Sequence, residues 1–184
     1  VSMVIRQTTV QDIELMLAMQ RLCFPGMDPW KVDQLRSHLT VFPEGQLVAE
    51  LDGHIIGSCS SLIINFDEYD DRHSWSDVTD DGYITNHNPE GYNMYGIEVM
   101  VHPEYRRMKV GQRLYEARKE IARQFNLKSI IIGGRIPNYH KHSDEMMPRD
   151  YVDAVSRHKI YDPVLTFQIM NGFTLMRINP NYLP

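Results

Sequence analysis

The chain has few of the features that mark secreted, membrane or nucleic-acid-binding proteins. Only two cysteines, Cys23 and Cys59, occur in 184 residues, and their apolar surroundings predict reduced, buried thiols rather than a disulfide framework. No apolar run approaches the roughly 20 residues of a membrane-spanning helix, and the N-terminal residues lack a signal-peptide core. The net charge of −5 disfavours general nucleic-acid binding. We expect a soluble cytoplasmic protein that binds neither membranes nor nucleic acids.

The stretch from Val99 to Leu114 carries the strongest functional signal. A strand pattern ends at His102, and apolar residues recur at helical spacing over residues 110–125. Between the two stand the cations Arg106, Arg107 and Lys109. The first turn of a helix presents free N–H groups and the positive end of the helix dipole. This order predicts an anion site, and we expect the anion to be a pyrophosphate.

Two nucleotide-binding motifs are absent from this turn. The P-loop requires a Gly-Lys-Ser/Thr ending, and the chain holds no such string. The dinucleotide fingerprint requires three spaced glycines after an early strand, whereas this turn has only Gly111. A basic helix start without a ligand is the alternative interpretation.

The rest of the chain predicts strands and helices in one domain. Strands are expected at residues 3–6, 46–50, 54–66, 95–101, 129–133 and 173–178, with Asp52-Gly53 as a hairpin turn. Helices are expected from about residue 9, from 28 to about 39, over 110–125, over 149–159 and from 162 to 170. Because residues 129–133 are almost wholly apolar, we expect that strand to lie fully buried inside a sheet.

The string Val-His-Pro-Glu-Tyr-Arg and the glycine that follows it resemble motif A of the GNAT superfamily of N-acetyltransferases, usually written Arg/Gln-x-x-Gly-x-Gly/Ala. Arg106 and Gly111 match its first and last positions, while Lys109 stands where the family usually has a glycine. The order of predicted elements is similar over nearly the whole chain. The resemblance implies an α/β (α+β) fold, the acyl-CoA N-acyltransferase fold. This fold has a mixed, mostly antiparallel central sheet with a splayed parallel strand pair and flanking helices.

The resemblance also implies acetyl-CoA as co-substrate, with no metal. Backbone N–H groups of the turn would bind the pyrophosphate, and the charges of Arg106 and Lys109 would assist them. The backbone of the preceding strand would contact the pantetheine arm. The expected cofactor-binding residues are Met100, Val101, Arg106, Arg107, Met108, Lys109, Val110, Gly111 and Gln112.

Amine acetylation needs a base for the attacking amine. Glu98, on the strand beside the expected pantetheine path, is the predicted general base, acting through a water; a surface carboxylate is the alternative. Strand alternation places Glu98 on the face opposite to Ile97 and Val99.

The expected leaving group is a thiol, whose pKa near 8.5 lets it depart without a strong acid. The family's usual acid is a tyrosine where this chain has Gln168. Tyr161 is the predicted substitute, with Tyr139 behind it; a packed tyrosine is the alternative for each.

We expect a single N-acetyltransferase domain over residues 1–184. Two segments, at about 67–93 and 136–161, are expected to be insertions in the minimal fold. The first insertion is rich in carboxylates, which favours a cationic acceptor; a solvated loop is the alternative. The second holds His140, His142, Asp144 and Glu145. These four lack the spacing of a closed ligand set, so no metal is expected.

Strings such as Cys-Phe-Pro-Gly-Met (23–27) are similar to the acetyltransferase domain that bacterial proteins carry ahead of a carbon–nitrogen hydrolase (nitrilase-like) domain. The chain is then either an excised domain or a stand-alone relative. The expected function is acetyl-CoA-dependent N-acetylation of a primary amine on a small molecule or peptide. The alternative is a catalytically weak acyl-CoA-binding or docking module associated with a nitrilase-like hydrolase. Dimers are common in the family, so a homodimer is an expectation by analogy.

Overall fold

Five strands form one sheet in the order β1-β2-β3-β4-β5. The structure is a computed structural model that describes residues 2–180 and 182–183. The first four strands are antiparallel to their neighbours, and the fifth runs parallel to the fourth. This confirms the predicted mixed, mostly antiparallel sheet with one parallel pair. The strands are β1 (Val4–Gln7), β2 (Leu47–Leu51), β3 (His54–Ile64), β4 (Asn93–Val101) and β5 (Ser129–Ile132).

Helices cover both faces of the sheet. On one face α1 and α2 pack over Val48, Ile55 and Met100. On the other face α4 packs over Ala49 and Ile56, the neighbours of those residues in β2 and β3. The alternation follows from the two-residue period of a strand. The helices are α1 (Ile13–Cys23), α2 (Val32–Val41), α3 (Trp75–Thr79), α4 (Val110–Gln124), α5 (Pro148–Ser156) and α6 (Leu165–Met170).

The hairpin between β2 and β3 confirms the turn predicted at Asp52-Gly53. Asp52 has a φ of +51° and Gly53 a φ of +80°. A two-residue turn with both φ values positive matches the right-handed twist of the strands that it joins.

Helix α2 begins later than the sequence predicts, and Trp30 lies in the non-helical segment before it. The predicted start at Asp28-Pro29 is wrong, because α2 begins at Val32. The backbone N–H of Trp30 instead donates to Oε1 of Gln20 at 2.7 Å. The Trp30 ring lies buried in the core beneath α1 and α2. A tertiary contact thus holds this segment outside the helix.

The sheet ends at β5, and two predictions about this edge are wrong. The isoleucines of β5 (130–132) are half-buried rather than fully buried. In the described residues 173–178, no strand forms, and Leu175 and Met176 are exposed. The absence of a sixth strand beside β5, among the described residues, explains why the apolar run there is only partly covered.

The chain divides into two compact units. The first contains the sheet and helices α1 to α4, reaches Ile132 and includes Tyr182. The second begins at Gly133 and contains α5 and α6. Its core is formed by apolar side chains of both helices. No helix in the described part of the chain is long and apolar enough to cross a membrane.

The buried carboxylate of Asp162 organises the second unit. It accepts hydrogen bonds from the backbone N–H groups of Val164 (3.0 Å) and Leu165 (2.9 Å), at the start of α6. It also accepts the hydroxyl of Tyr151 on α5 at 2.6 Å. The helix predicted from Asp162 therefore begins three residues later, at Leu165, and the Asp162 carboxylate joins its start to α5.

Candidate active site

β4 carries a bulge in its middle. Ser61 of β3 pairs with Gly96, and Ser60 pairs with Glu98, so Ile97 is an extra residue in the ladder. A bulge bends the strand and leaves backbone groups of the extra residue unpaired. The bulge lies next to Glu98, the predicted general base.

The parallel strands separate at this bulge. Pairing between β4 and β5 runs from Asn93 to Gly96 and ends at the partner Ile132. Within the described residues, no strand lies beside residues 97–101 of β4 on that side. An open strand edge offers N–H and C=O groups to a ligand that carries amides. The splayed pair therefore has the geometry that fits a pantetheine arm.

The basic turn folds as a 3-10 helix (Pro103–Met108) that leads into α4. Pro103 supplies a fixed φ at the start of the turn, and the N–H of Glu104 donates to Nδ1 of His102 at 3.1 Å. These local bonds hold the turn without using its cations. Its exposed residues are Pro103, Glu104, Arg106, Arg107 and Met108, and the exposed Lys109 follows it.

The first turn of α4 is open to an anion. It has no side-chain cap and no acidic residue. The first backbone bond of the helix runs from the N–H of Arg113 to the carbonyl of Lys109 at 3.1 Å. The N–H groups of Val110, Gly111 and Gln112 precede that bond, and the helix dipole adds to them. Free N–H groups beside three cations fit the oxygens of a pyrophosphate.

Lys109 adopts the left-handed conformation, with a φ of +58°. Residues other than glycine pay roughly 1–2 kcal/mol for this conformation. Lys109 is where the family motif has a glycine, and its backbone conformation is one that glycine adopts freely. The exposed Lys109 side chain keeps its charge at the turn.

Glu98 faces the side of the sheet covered by α1 and α2, where the indole N–H of Trp30 donates a hydrogen bond to Oε2 of Glu98. Val99 packs with α4 on the opposite face, as the alternation predicts. Ile97 packs against the cluster that contains Trp30. Ile97 also packs against the cluster that contains Tyr95 and Ala122. The bulge at Ile97 interrupts the alternation on which the predicted opposition of Ile97 and Glu98 rests.

The two predicted pantetheine contacts, Met100 and Val101, lie at the end of the open stretch of β4. Met100 is buried against α1. The carbonyl of Val101 accepts the thiol of Cys23 at 3.2 Å. Burial raises the pKa of the Cys23 thiol. Cys23 and Cys59 are both free, as the sequence predicts, but only Cys59 is buried, whereas Cys23 is half-buried.

The structure brings one further residue to the bulge that sequence reasoning missed. Arg118 of α4 is 2% exposed, and its Nη2 donates to the carbonyls of Ser60 (3.3 Å) and Glu98 (3.2 Å). A sequence signal exists, since Arg118 lies four residues after the core residue Leu114 and thus on the apolar stripe of the helix. An arginine on an apolar stripe indicates a buried guanidinium with a specific role.

The residues considered for the acid lie in the second unit. Tyr161 is 69% exposed. The hydroxyl of Tyr139 donates to the carbonyl of Met146 at 2.9 Å, which favours a structural role. Gln168 is buried, and its Oε1 would lie 2.4 Å from a Cβ atom at Gly134. The Gln168 side chain therefore packs against the backbone of Gly134, where a larger residue would collide with it.

Metal ligands do not gather anywhere in the described chain. Within it, no group of three or more histidine, cysteine, aspartate or glutamate side chains is arranged to hold a metal ion. His140 instead contacts the carbonyl of Pro137 through Nδ1 at 2.8 Å, and His142 lies 3.7 Å from Glu145.

The splayed strands and the basic turn agree with the comparison to known families. The sequence profile of the acetyltransferase (GNAT) family matches residues 13–143. The chain belongs to this family. The match spans β2 to β5, the turn and α4, all in the first unit, together with the start of the second.

Two relatives come from Bacillus subtilis (strain 168). The chain is 72% identical over 182 residues to the probable hydrolase YhcX, and the match covers 99% of this chain. The chain spans only 36% of the length of YhcX. It is 38% identical over 186 residues to the uncharacterized N-acetyltransferase YkwB, covering 99% of this chain and 82% of YkwB.

A solved structure supports the fold independently of sequence. The GNAT-like decarboxylase GphF, in complex with isobutyryl-CoA, superposes with a TM-score of 0.83 at 20% identity. The superposition covers 98% of this chain and 91% of GphF. The likeness at this identity concerns the fold alone, and it extends over nearly the whole chain.

Proposed function

We propose that the protein is an acetyl-CoA-dependent N-acetyltransferase that moves an acetyl group to a primary amine. The observation that carries the proposal is the open edge of β4, which begins at the bulge and ends beside the basic turn. We also propose that residues 1–184 act as one such domain, insertions included, and that it works in the cytoplasm. A complex of GphF with isobutyryl-CoA supports acyl-CoA as the ligand of this fold.

The turn and the start of α4 bind the pyrophosphate in this proposal. Their backbone N–H groups donate to its oxygens, and the exposed guanidinium of Arg106 and ammonium of Lys109 add charge. Backbone groups of Met100 and Val101 pair with the amides of the pantetheine arm. Acetyl-CoA, when bound, supplies an acyl group activated as a thioester.

Glu98 is the proposed general base. The indole of Trp30 orients its carboxylate on the side of the sheet away from α4. Glu98 accepts the proton of the amine through a water, because a positioned carboxylate is a competent base for this transfer. Tyr161 remains the proposed proton donor to the departing thiol, and its exposure leaves its hydroxyl accessible.

The acceptor proposed for this site is a cationic amine on a small molecule or peptide. The carboxylates of the first insertion are exposed. The insertion packs against α2, where Gln34 donates to the carbonyl of Asp81 at 2.8 Å. A Cβ atom at Gly82 would lie 2.7 Å from the ring of Trp30, so the insertion also reaches the partner of Glu98. An acidic segment next to the base concentrates cationic substrates by electrostatic attraction.

Calorimetric titration with acetyl-CoA and with CoA tests the cofactor site. We expect micromolar binding to the wild-type protein and at least a tenfold loss in Arg106→Ala/Lys109→Ala, since two charge-assisted contacts are removed. Lys119→Ala/Arg123→Ala is the matched control, because it removes two cations of α4 that pair with Glu116 and Glu120. Absence of binding to the wild-type protein would overturn the proposal.

A thiol-release assay with a library of amines then tests the reaction. The expected result is release of CoA that depends on an amine, together with mass-spectrometric detection of the acetylated amine. Thiol release without an amine product, or turnover of malonyl-CoA alone, would contradict N-acetylation and indicate hydrolysis or decarboxylation.

A second candidate is a catalytically weak acyl-CoA-binding or docking module associated with a hydrolase. The observation that favours it is the 72% identity to YhcX, a probable hydrolase of which the chain spans 36%. Binding of acetyl-CoA without turnover of any amine would support this module. The measurement to add is co-purification with a nitrilase-like hydrolase domain supplied as a separate chain.

A further inference from the structure

The guanidinium of Arg118 is a buried charge with no carboxylate beside it. Among the described residues, no Asp or Glu forms an ion pair with Arg118 within 4.0 Å, whereas Arg6 and Arg123 both have such partners. Nε of Arg118 is buried without a hydrogen-bond partner. Burial of an uncompensated charge is costly, so retention of this arginine calls for a compensating role.

Arg118 is placed at the point where β4 and β5 separate. Its Nη1 would lie 2.5 Å from a Cβ atom at Gly96, the last residue of β4 that pairs with β5. The methyl Cγ2 of Ile132, the last residue of β5, would lie 2.7 Å from the same Cβ. The guanidinium therefore lies directly against the base of the wedge that opens between the two strands.

Arg118 lies about as far along α4 from the basic turn as the bulge lies along β4. From Val110 to Arg118 the helix advances about 12 Å at 1.5 Å per residue. From Val101 to the bulge at Ile97 the strand covers about 13 Å at 3.3 Å per residue. An extended arm anchored at the turn and paired with β4 thus brings its reactive end to the bulge, where Arg118 lies.

We propose that Arg118 stabilises the negative charge that forms on the sulfur of CoA when the acyl group leaves. The inference rests on the proposed function. The new carbon–nitrogen bond forms with the electron pair of the amine, and the electrons of the broken carbon–sulfur bond stay on sulfur. The proton of the amine passes through water to Glu98, and Arg118 keeps its own proton. A fixed positive charge in a site shielded from water favours such a transition state strongly.

This role compensates for Gln168, which cannot donate a proton where the family has a tyrosine. A thiolate stabilised by a cation leaves before it is protonated, so the proposed proton transfer from Tyr161 follows the breaking of the carbon–sulfur bond. The buried thiol of Cys59 in β3 lies near the same guanidinium. Burial raises the pKa of the Cys59 thiol, and the charge and hydrogen bond of Arg118 oppose that rise. Tyr115 of α4 also faces the guanidinium, with its ring centroid 5.7 Å away.

The pKa of the CoA thiol bound to the protein tests the inference without any turnover. It is measured from the ultraviolet absorbance of the thiolate as pH is raised, with protein saturated by acetyl-CoA as the baseline for the protein's own groups. For the wild-type protein we expect the pKa of bound CoA to be lower by about 1 or more than that of free CoA. A value equal to that of free CoA, at full binding, would overturn the inference and leave the proposed function intact.

Two variants separate charge from structure. Arg118→Gln keeps an amide donor for the carbonyls of Ser60 and Glu98 but removes the charge, so bound CoA should return to the pKa of free CoA. Arg118→Lys keeps the charge and should retain at least half of the lowering. Retention of the full lowering in Arg118→Gln, or its loss in Arg118→Lys, would contradict the inference. If one variant does not fold, the pKa of CoA bound to the other still tests the inference.

Steady-state kinetics supply a second readout. In Arg118→Gln we expect kcat to fall about 100-fold while KM for acetyl-CoA changes little, because the charge acts when the thiolate forms. Arg123→Gln is the matched control, since it removes an exposed cation of the same helix that pairs with Glu120 at 3.1 Å. Equal losses in the two variants would overturn the inference. Failure of the wild-type protein to bind CoA would instead overturn the proposed function itself.

Discussion

Gly96 and Arg118 share one space, in which a Cβ atom on residue 96 would lie 2.5 Å from Nη1 of the arginine. We predict that Gly96→Ala lowers the free energy of unfolding by about 1–3 kcal/mol, because the buried guanidinium must move. Urea denaturation measures the change. Gly26→Ala is the control, since no atom lies within 4 Å of a Cβ there. Equal stability of the two variants would show that the guanidinium moves without cost.

Glu98 should matter to the chemical step and not to cofactor binding. We predict that Glu98→Gln lowers kcat by about 100-fold or more, because an amide cannot accept the proton of the amine. The affinity for CoA, measured by calorimetry, should stay at the wild-type value. A parallel loss of CoA affinity would assign Glu98 to binding instead.

Trp30 should act through Glu98. We predict that Trp30→Phe lowers kcat about tenfold, because it removes a hydrogen bond to a charged group worth about 1.5 kcal/mol while keeping an aromatic ring in the core. Trp75→Phe is the control, because its ring lies 5.3 Å from that of Trp30 and the variant leaves the bond to Glu98 in place. Equal kcat values for wild type and Trp30→Phe would exclude this orienting role.

Lys109 combines an unfavourable backbone conformation with a useful charge, and two variants separate them. We predict that Lys109→Gly is more stable than Lys109→Ala by about 1 kcal/mol, because glycine adopts a positive φ without steric cost. Both variants should lose the same affinity for acetyl-CoA, since both lose the ammonium group. Thermal denaturation and calorimetry check the two parts. Equal stability would mean that the turn relaxes when the side chain is shortened.

His38 should make the protein less stable in mild acid. Burial lowers the pKa of His38 to about 4, while an unfolded histidine has a pKa near 6.5. Between these values the unfolded state binds a proton that the folded state does not. The contribution of neutral His38 to the free energy of unfolding is therefore wholly present above about pH 6.5. It is lost as the pH falls towards 4, which lowers the free energy of unfolding by up to about 3 kcal/mol.

Urea denaturation at neutral pH and at about pH 5 checks the effect of His38. Nε2 of His38 contacts the carbonyl of Gly82 at 2.7 Å. In His38→Gln an amide can donate to this carbonyl without titrating, so the loss of stability should shrink. His54→Gln changes an exposed histidine and should leave the loss unchanged. An undiminished loss in His38→Gln would transfer the effect to another group, such as His87, whose pKa burial also lowers.

The sequence predicts most of the strands and helices because their patterns are local. The hairpin at Asp52-Gly53 and the helix after Lys109 depend on turn residues and apolar spacing within a few positions of each other. The start of α2 is different, because it depends on a bond from Trp30 to Gln20, ten residues away. Likewise, residues 173–178 are rich in apolar side chains, and yet they form no strand in the described chain.

The sequence predicts the part of the candidate site that is one continuous segment, but not the part that forms where separate strands pair. The turn from Arg106 to Gly111 is continuous in the chain, so a short motif suffices to find it. The bulge at Ile97 is a shift of register between β3 and β4. The sequence of neither strand alone predicts it. The position of Arg118 on the apolar stripe of α4 predicts its burial, but its partners, the carbonyls of Ser60 and Glu98, follow only from the folded sheet.

The open edge of β4 also bears on how the protein behaves at high concentration. A strand with unpaired N–H and C=O groups is a template to which another molecule can add a strand, and this is a common start of aggregation. Here the stretch is only five residues long (97–101), and Glu98, its second residue, carries a charge. Short length and inward-pointing charged side chains are among the devices by which natural sheets resist such pairing. The carboxylate proposed as the base of the reaction therefore also protects the sheet while no cofactor covers it.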